Sequence, residues 1–184
     1  TITTSDDALI AGETATITFT LSEGSTDFIR EDITVSGGTL GDLTEVSSTE
    51  YTAVFTPSAS STTAGVITVA GDKFTDAAGN ANPSEVSLTL AVDTVVPGIT
   101  ITTSDNALIA GETATITFTL TEGSTNFIRD DITVSGGTVT GFFGSGTRYT
   151  GTFRPDENFT GNAEISVSSA KFTDPAGNNN EVSN

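Results

Sequence analysis

The feature that most constrains this chain is an internal repeat with an offset of 99 residues. Residues 1–39 read TITTSDDALIAGETATITFTLSEGSTDFIREDITVSGGT, and residues 100–138 repeat them with four differences. The four pairs are Asp7/Asn106, Ser22/Thr121, Asp27/Asn126 and Glu31/Asp130. After a less similar middle part, FTDAAGN at residues 74–80 returns as FTDPAGN at residues 172–178. Because about 90 residues suffice for one small domain, the repeat predicts two similar domains in tandem.

Within each repeat the hydrophobic pattern has the period of a β-strand. In residues 14–21, threonines alternate with Ala15, Ile17, Phe19 and Leu21, as in a strand that is buried on one face only. No stretch has the 3.6-residue period of an amphipathic helix. About seven short strands per repeat, separated by Gly, Asn, Asp, Ser and Pro, predict an all-β fold of two tandem immunoglobulin-like β-sandwich domains.

The strand pattern also places the domain boundaries. We expect the first repeat at residues 1–92, a short linker at residues 93–98 and the second repeat at residues 99–184. Pro97 fixes its own φ and keeps Val96 extended, so the linker is predicted to be stiff. The second repeat reaches Asn184 before its counterpart of SLTLAVDT is complete, so its last strand is expected to be truncated.

The composition of the chain argues against several classes of function. The 184 residues carry 24 acidic and 6 basic side chains, a net charge of −18, with no His and no Cys. Such a surface repels nucleic acid and anionic membranes, and no stretch is apolar enough for a membrane span, so neither is expected as a partner. The commonest general base and the cysteine nucleophile are missing, and we predict no enzyme. Cations, Ca²⁺ first, are the expected ligands.

The strand order predicts that acidic loops meet at the linker. Alternating strand directions put the A–B loop, residues 5–12, at the end of repeat one that adjoins the linker. The same reasoning puts two loops of repeat two at the end that the linker enters: the B–C loop, which carries Glu122 and Asn126, and the F–G loop, which carries Asp174 and Asn178. Facing carboxylates repel by about 1 kcal/mol per pair even in water, and Ca²⁺ takes 6–8 oxygen ligands. The predicted ligands are Asp6, Asp7, Glu13, Asp93, Glu122, Asn126, Asp174 and Asn178.

The two outer ends of the pair repeat parts of this arrangement. These predicted half-sites comprise Glu23, Asp76, Asn80, Asp105, Asn106 and Glu112. A metal-free interpretation stays open, because Asp and Asn near a Gly form turns without any ion, and Gly79 and Gly177 can supply positive φ. A site at the linker should be complete once, whereas a site within each repeat should occur twice.

The order of the motifs resembles a known family. FTDAAGN, a strand, VDTVVPG and then TATITFTL in the next copy resemble the bacterial Ig-like tandem repeats of giant surface adhesins, of the biofilm-associated and RTX types. The resemblance covers the whole chain. It implies a non-enzymatic extender or spacer module on the bacterial cell surface, extracellular and rigidified by Ca²⁺ bound at the inter-repeat junction. It also implies that neighbouring repeats of the same chain are its partners, while other domains bind the host-cell or surface ligand.

The alternative function is a binding module that contacts ice, glycan or another cell through its strand faces or loops. Regular rows of Thr hydroxyls can order water or contact a flat polysaccharide. The dipeptide Phe142–Phe143 is peculiar to the second repeat. Because neighbouring strand residues point to opposite faces, one of the two rings is expected to be exposed.

Overall fold

A computed structural model describes all residues from 1 to 184 and divides them into two compact units, Thr1–Val95 and Val96–Asn184. Both units are β-sandwiches, which confirms the predicted all-β fold with two immunoglobulin-like domains. The only helical elements are two 3₁₀ turns, Arg30–Asp32 and Arg129–Asp131. No helix of the chain is long and apolar enough to cross a membrane.

Unit 1 contains nine strands in two sheets. They are β1 (Ile2–Thr4), β2 (Ala8–Ile10), β3 (Ala15–Thr20), β4 (Ile33–Ser36), β5 (Gly38–Leu40), β6 (Thr44–Ser47), β7 (Glu50–Pro57), β8 (Gly65–Val69) and β9 (Val86–Asp93). One sheet has the order β1-β3-β7-β5, with β6 also paired to β7, and the other has the order β2-β9-β8-β4. The alternation of Thr with apolar residues holds in β3, where Ala15, Ile17 and Phe19 are buried.

The first strand of unit 1 changes sheet between β1 and β2. β1 is antiparallel to β3, whereas β2 runs parallel to β9, with Ile10 opposite Asp93. One part of the prediction is therefore wrong: residues 5–12 contain a strand and not only a loop. The apolar run Ala8–Ile10 was too short to signal a strand, because its pairing partner lies about 80 residues away in the sequence.

Unit 2 repeats this plan with fewer strands. They are β10 (Ile99–Thr103), β11 (Ala114–Ser124), β12 (Ile132–Ser135), β13 (Gly137–Pro155) and β14 (Glu164–Val167). One sheet has the order β10-β11-β13, and the other consists of β12 paired with β14. Residues 107–109 have the same sequence as β2 but form no strand, and unit 2 contains no counterpart of β9.

Each unit encloses its own aromatic core. Phe28 sits at the centre of the first core, with its ring centroid 5.0–5.7 Å from those of Phe19, Tyr51 and Phe74. Phe127 occupies the equivalent place in unit 2 and contacts the four rings of Phe118, Phe142, Tyr149 and Phe172. Edge-to-face contacts of this kind add to the gain from burying the rings.

Of the two neighbouring rings Phe142 and Phe143, one is packed in the core and the other is exposed, as predicted. Phe142 stacks on Tyr149, with the ring centroids 5.6 Å apart, and packs against the core. Phe143 is 71% exposed.

Candidate functional site

Two acidic side chains of unit 2 converge. A carboxylate oxygen of Glu122 lies within 4.8 Å of one on Asp174. Glu122 is half-buried near the end of β11, and Asp174 is buried in the loop that follows β14. Two carboxylates at this separation repel each other more strongly than in bulk water, because burial lowers the effective dielectric constant. A hard divalent cation between them replaces the repulsion with attraction.

The loop FTDPAGN holds Asp174 in place. Its Oδ1 accepts hydrogen bonds from the backbone N–H groups of Gly177 and Asn178, at 2.7 and 2.9 Å. Its Oδ2 accepts one from Nδ2 of Asn178, at 2.8 Å. Gly177 has φ 109°, a conformation that other residues rarely adopt. The metal-free turn is therefore present, and the second lone pair of Oδ2 leaves one position for a cation.

The segment that enters unit 2 is tied next to Glu122. The backbone N–H of Gly98 donates to Oγ1 of Thr121 at 2.8 Å, and the N–H of Thr121 donates back to the Gly98 carbonyl at 3.0 Å. The carbonyl of Pro97, which is buried, accepts the N–H of Glu181 at 3.0 Å. Residues 97–98 are thus held by unit 2 itself.

In unit 1 the predicted ligands fall into two groups. Asp93 is the last residue of β9 and lies opposite Ile10, and Oε2 of Glu13 accepts the N–H of Ile10 at 3.0 Å, so Glu13 and Asp93 share one neighbour. Asp6 and Asp7 precede β2 instead, three or four residues before Ile10. At about 3.3 Å per residue this places them about 10 Å or more along the strand, away from Asp93. The extended residues 8–10 therefore separate Asp6 and Asp7 from the neighbourhood that Glu13 and Asp93 share, and a common site for all four acids stays a prediction.

Asn126 joins two loops of unit 2. Its Oδ1 accepts hydrogen bonds from Oγ of Ser124 at 2.8 Å and from the N–H of Thr173 at 3.0 Å, while its Nδ2 donates to Oγ1 of Thr173 at 3.3 Å. Both lone pairs of the amide oxygen are used, so in this arrangement the oxygen of Asn126 has no lone pair left for a calcium ion. Asn126 closes the B–C loop onto the F–G loop.

Asp27 makes the equivalent link in unit 1. Its Oδ1 accepts the N–H of Thr75 at 2.9 Å and its Oδ2 accepts the Thr75 hydroxyl at 2.8 Å. These bonds, the one from the Thr75 backbone first and the one from the Ser25 hydroxyl next, lower the pKa of the Asp27 carboxyl below its usual range. The Asp-to-Asn difference between the repeats therefore keeps the link and changes its charge.

The outer half-sites show the same local turns. Oδ1 of Asp76 accepts the N–H of Asn80 and its Oδ2 accepts the Asn80 amide, at 2.8 and 2.7 Å, and these bonds, the amide first, lower the pKa of Asp76. Asn80 is exposed, whereas its counterpart Asn178 is 2% exposed. Glu23 is exposed as well.

At the other outer end, two predicted half-site acids hold turns of their own backbone. Oδ1 of Asp105 accepts the N–H of Ala107 at 2.9 Å, and Oε2 of Glu112 accepts the N–H of Ile109 at 3.0 Å. Asn106 between them is exposed. These acids act in local turns, as Asp6 and Glu13 do in unit 1.

Asn180 is one of the buried polar residues that the sequence analysis missed. Asn180 is 2% exposed; its Oδ1 accepts the N–H groups of Lys171 and Phe172, and its Nδ2 donates to the Ser168 carbonyl at 2.9 Å. Asn82 makes the same contacts in unit 1. The signal was available, because both residues stand eight positions after the Phe of FTD.

Comparison with known proteins shows the family to which both repeats belong. The model of the bacterial Ig-like domain matches residues 1–92 and again residues 93–184. Among solved structures, Yersinia pseudotuberculosis InvD matches with 23% sequence identity and a TM-score of 0.36, over 100% of this chain and 56% of that one. The chain thus spans little more than half the length of that structure. None of the curated proteins compared with the chain matches it.

Proposed function

Because the chain belongs to the bacterial Ig-like domain family in both of its repeats, we propose that it is a non-enzymatic spacer of a bacterial surface adhesin. Ig-like domains of this family are typically non-catalytic. Two near-identical units with separate cores suit a module that supplies length. The net charge of −18 keeps such a module soluble and apart from its neighbours outside the cell.

We further propose that Ca²⁺ binds where the linker joins unit 2 and stiffens the pair. The observation that carries this proposal is the approach of the Glu122 and Asp174 carboxylates to within 4.8 Å inside unit 2. The third proposed ligand is Asp93, which the chain itself keeps near unit 2. It stands five residues before Gly98, which is hydrogen-bonded to Thr121. An extended chain spans at most about 3.6 Å per residue, so Asp93 is tethered within about 18 Å of Gly98.

The mechanism is thermodynamic linkage. Ca²⁺ that binds only the ordered junction stabilises it by RT ln(1 + [Ca²⁺]/Kd). Millimolar extracellular Ca²⁺ then rigidifies the linker, whereas a submicromolar cytosol leaves it flexible until export. Mg²⁺ suits the site less well, because it requires tighter octahedral geometry and gives up water reluctantly.

The test is a Ca²⁺ titration of the chelator-treated chain by calorimetry, thermal melting and small-angle scattering. We expect Ca²⁺ to raise the melting temperature and to lengthen and narrow the particle. Glu122→Gln and Asp93→Ala should each remove most of the affinity and the change of shape. Glu23→Gln is the matched control, because it changes the equivalent residue of the first repeat and should leave both unchanged.

Three outcomes separate the alternatives. A rise in melting temperature without a change of shape would place the metal within each repeat, and two equivalent sites should then be counted. No response in either measurement would leave the acids with a role in solubility alone. Equal loss of affinity in Glu122→Gln and Glu23→Gln would also contradict a junction site.

A second candidate function rests on Phe143, a ring that is 71% exposed. Exposed aromatic rings suit contacts with glycans or protein partners. If the units themselves bind a ligand, the wild-type chain should bind glycan arrays, ice or cells, and Phe143→Ser should abolish that binding without changing the melting temperature. A spacer binds none of them.

A further inference from the structure

We propose that the outer face of the β10-β11-β13 sheet in unit 2 binds an acidic polysaccharide. Carboxylate or sulfate groups of the polymer contact Arg148 and Arg154, and its hydroxyl groups contact the threonines between them. The inference rests on the second candidate function, to which it gives a ligand class. It does not depend on the calcium proposal, because neither arginine belongs to the proposed metal site.

Cross-strand pairing gathers seven threonines on this side of the sheet. In the central row, Thr102 of β10 lies opposite Thr117 of β11, which lies opposite Thr150 of β13. Ile116 and Phe118 on either side of Thr117 are buried in the core, and successive strand residues point to opposite sides, so the row faces outward. The other threonines of this outer face are Thr100, Thr115, Thr119 and Thr152.

Two arginines stand on the same face of β13. Arg148 lies opposite Thr119, and Arg154 follows the buried Phe153, so both point outward. Six residues of strand separate them by about 20 Å. Both side chains are exposed, and neither makes a hydrogen bond or an ion pair within the chain.

The other two arginines of the chain show the contrast. Arg30 and Arg129 are half-buried, and their guanidinium groups donate hydrogen bonds to backbone carbonyls of their own units. Arg148 and Arg154 have no such task in the fold. Their N–H groups are therefore available to a ligand.

The first repeat has the same kind of sheet face without these arginines. Thr18 of β3 lies opposite Thr52 of β7 in its central row. Glu50 stands at the position of Arg148, and Thr56 stands at that of the second arginine. The sheet therefore forms without either cation, and the arginines give unit 2 a surface property that unit 1 lacks.

The outer face is locally free of acids in a chain that has 24 of them. No acidic residue stands at the paired outward positions of β10, β11 and β13. Asp156 and Glu157 follow Arg154 in the next loop and form no ion pair with it. Because the Debye length is about 8 Å at 0.15 M salt, acids elsewhere on the chain are largely screened, whereas a bound anion contacts the guanidinium directly.

An exposed aromatic ring lies at the Arg148 end of this face. Gly144 packs so closely against the backbone of Arg148 and Tyr149 that no Cβ would fit, which places Phe143 next to them. Phe142 packs on the core side, so its neighbour Phe143 points to the outer side and is 71% exposed.

Each of these groups matches one chemical feature of an acidic polysaccharide. The planar guanidinium binds a carboxylate or sulfate through two parallel hydrogen bonds. Threonine hydroxyls donate and accept, as sugar hydroxyls do, and the Phe143 ring offers an apolar surface to a sugar ring. A protein partner fits less well, because a protein interface needs an apolar centre and the outward threonine rows contain no large apolar side chain.

The test measures binding of the full chain to polygalacturonate, dextran sulfate and neutral dextran by calorimetry at 0.15 M NaCl. A chelator is present, so that Ca²⁺ cannot bridge the polymers to the acids of the chain. We expect binding to one or both acidic polymers and none to neutral dextran. The stronger of the two acidic polymers tells whether carboxylate or sulfate is the preferred anion.

Substitutions then locate the surface. Arg148→Gln and Arg154→Gln should each weaken binding by about tenfold or more, and the double variant should abolish it. Lys171→Gln is the matched control, because it removes an exposed cation of unit 2 outside this face and should leave binding unchanged. The melting temperature should stay the same in all these variants, since none of the removed groups has a partner in the fold.

Three results would overturn the proposal. The first is no binding of either acidic polymer, and the second is binding that the double arginine variant retains. The third is equal binding of duplex DNA, which would show a general response to anions. Binding of neutral glycans that Phe143→Ser abolishes and the arginine variants retain would support the second candidate function and still reject this inference.

Discussion

At the scale of single residues, the near-identity of the repeats turns each difference into a natural comparison. Asp27 and Asn126 join the same loops through equivalent partners, and they differ in charge and in the direction of one hydrogen bond: Asp27 accepts from the Thr75 hydroxyl, whereas Asn126 donates to that of Thr173. Arg30 and Arg129 likewise use their guanidinium groups on backbone carbonyls: Nη1 of Arg30 donates to Ile33 O at 2.8 Å, and that of Arg129 to Ile132 O at 3.1 Å. These contacts close loops, and they explain why an arginine stands at the same position of both repeats in a chain with only six basic residues.

The hydrogen bonds of Asp27 predict that unit 1 loses stability in acid through this residue, whereas Asn126, its counterpart in unit 2, does not titrate. The lowered pKa of Asp27 means that the folded chain holds the carboxylate more firmly than the unfolded chain does. The stabilisation is complete above the ordinary pKa of about 3.9 and is lost as the pH falls through the lower folded value. Asp27→Asn should flatten the fall in the free energy of unfolding between about pH 5 and pH 2, measured by urea denaturation. Asn126→Asp should steepen it, and unchanged slopes in both variants would contradict the assignment.

The two buried tyrosines predict that removing either hydroxyl lowers the free energy of unfolding. The hydroxyl of Tyr51 donates to the Ser25 carbonyl at 2.9 Å and that of Tyr149 to the Ser124 carbonyl at 2.7 Å. Burial raises the pKa of both phenols, with the charges of Glu45 and Asp27 adding to it for Tyr51. Tyr51→Phe and Tyr149→Phe should each lower the free energy of unfolding by about 1–3 kcal/mol, because a buried carbonyl loses its donor.

Denaturant titration of the two single variants and the double variant checks this. The losses should add in the double variant, since the two tyrosines lie in separate cores. A loss near zero in either single variant would show that water replaces the hydroxyl.

At the scale of elements, one eight-residue sequence folds differently in the two units. ALIAGETA begins with a strand followed by a turn at residues 8–15 of unit 1, and it forms the turn without that strand at residues 107–114 of unit 2. The turn is local: the N–H of Glu13 donates to Ile10 O at 3.1 Å, and Glu112 repeats this with Ile109 at the same distance. The strand is not local, because three residues of β2 need the backbone of β9 beside them.

This difference predicts unequal effects of the same substitution. Leu9→Ala removes a fully buried side chain of β2 and should lower the free energy of unfolding by about 2–5 kcal/mol. Leu108→Ala removes a half-buried side chain and should cost clearly less. Equal costs in urea denaturation would show that Leu108 is as fully enclosed in solution as Leu9.

At the scale of the whole molecule, charge is the dominant property. With 24 acidic residues against 6 basic ones, self-repulsion opposes folding, and only part of it is relieved by local turns and links. Salt reduces this repulsion, because the Debye length falls from about 30 Å at 0.01 M to about 10 Å at 0.1 M.

We therefore expect the melting temperature to rise from low salt to about 0.1–0.2 M NaCl, measured by calorimetry in a chelator. At matched ionic strength, CaCl₂ should raise it further in the parent chain and not in Glu122→Gln. A melting temperature independent of NaCl would show that repulsion between the acids is not what limits stability.

Much of the fold could be predicted because its causes are local or repeated. The period-two alternation of residues 14–21, the break residues between strands and the 99-residue offset are visible without any partner. The turns at Asp174 and Glu13 also lie within a few residues, so their residue types were recognised as candidate turns or ligands. The sequence assigns Asn126 to a metal site, since one of its two hydrogen-bond donors, the Thr173 N–H, lies 47 residues away.

What the sequence determined by itself is the strand class of the segments with a clear period of two, the two-domain plan, the acidic surface and the local turns, since these depend on neighbours within a few positions or on the repeat. Tertiary structure alone decided that residues 8–10 join β9 and that Asn126 binds the backbone of Thr173. Each of these outcomes depends on backbone or side chains brought together from distant positions. A pattern of period two fixes which face of a strand is apolar, but it does not fix which strand will lie beside it.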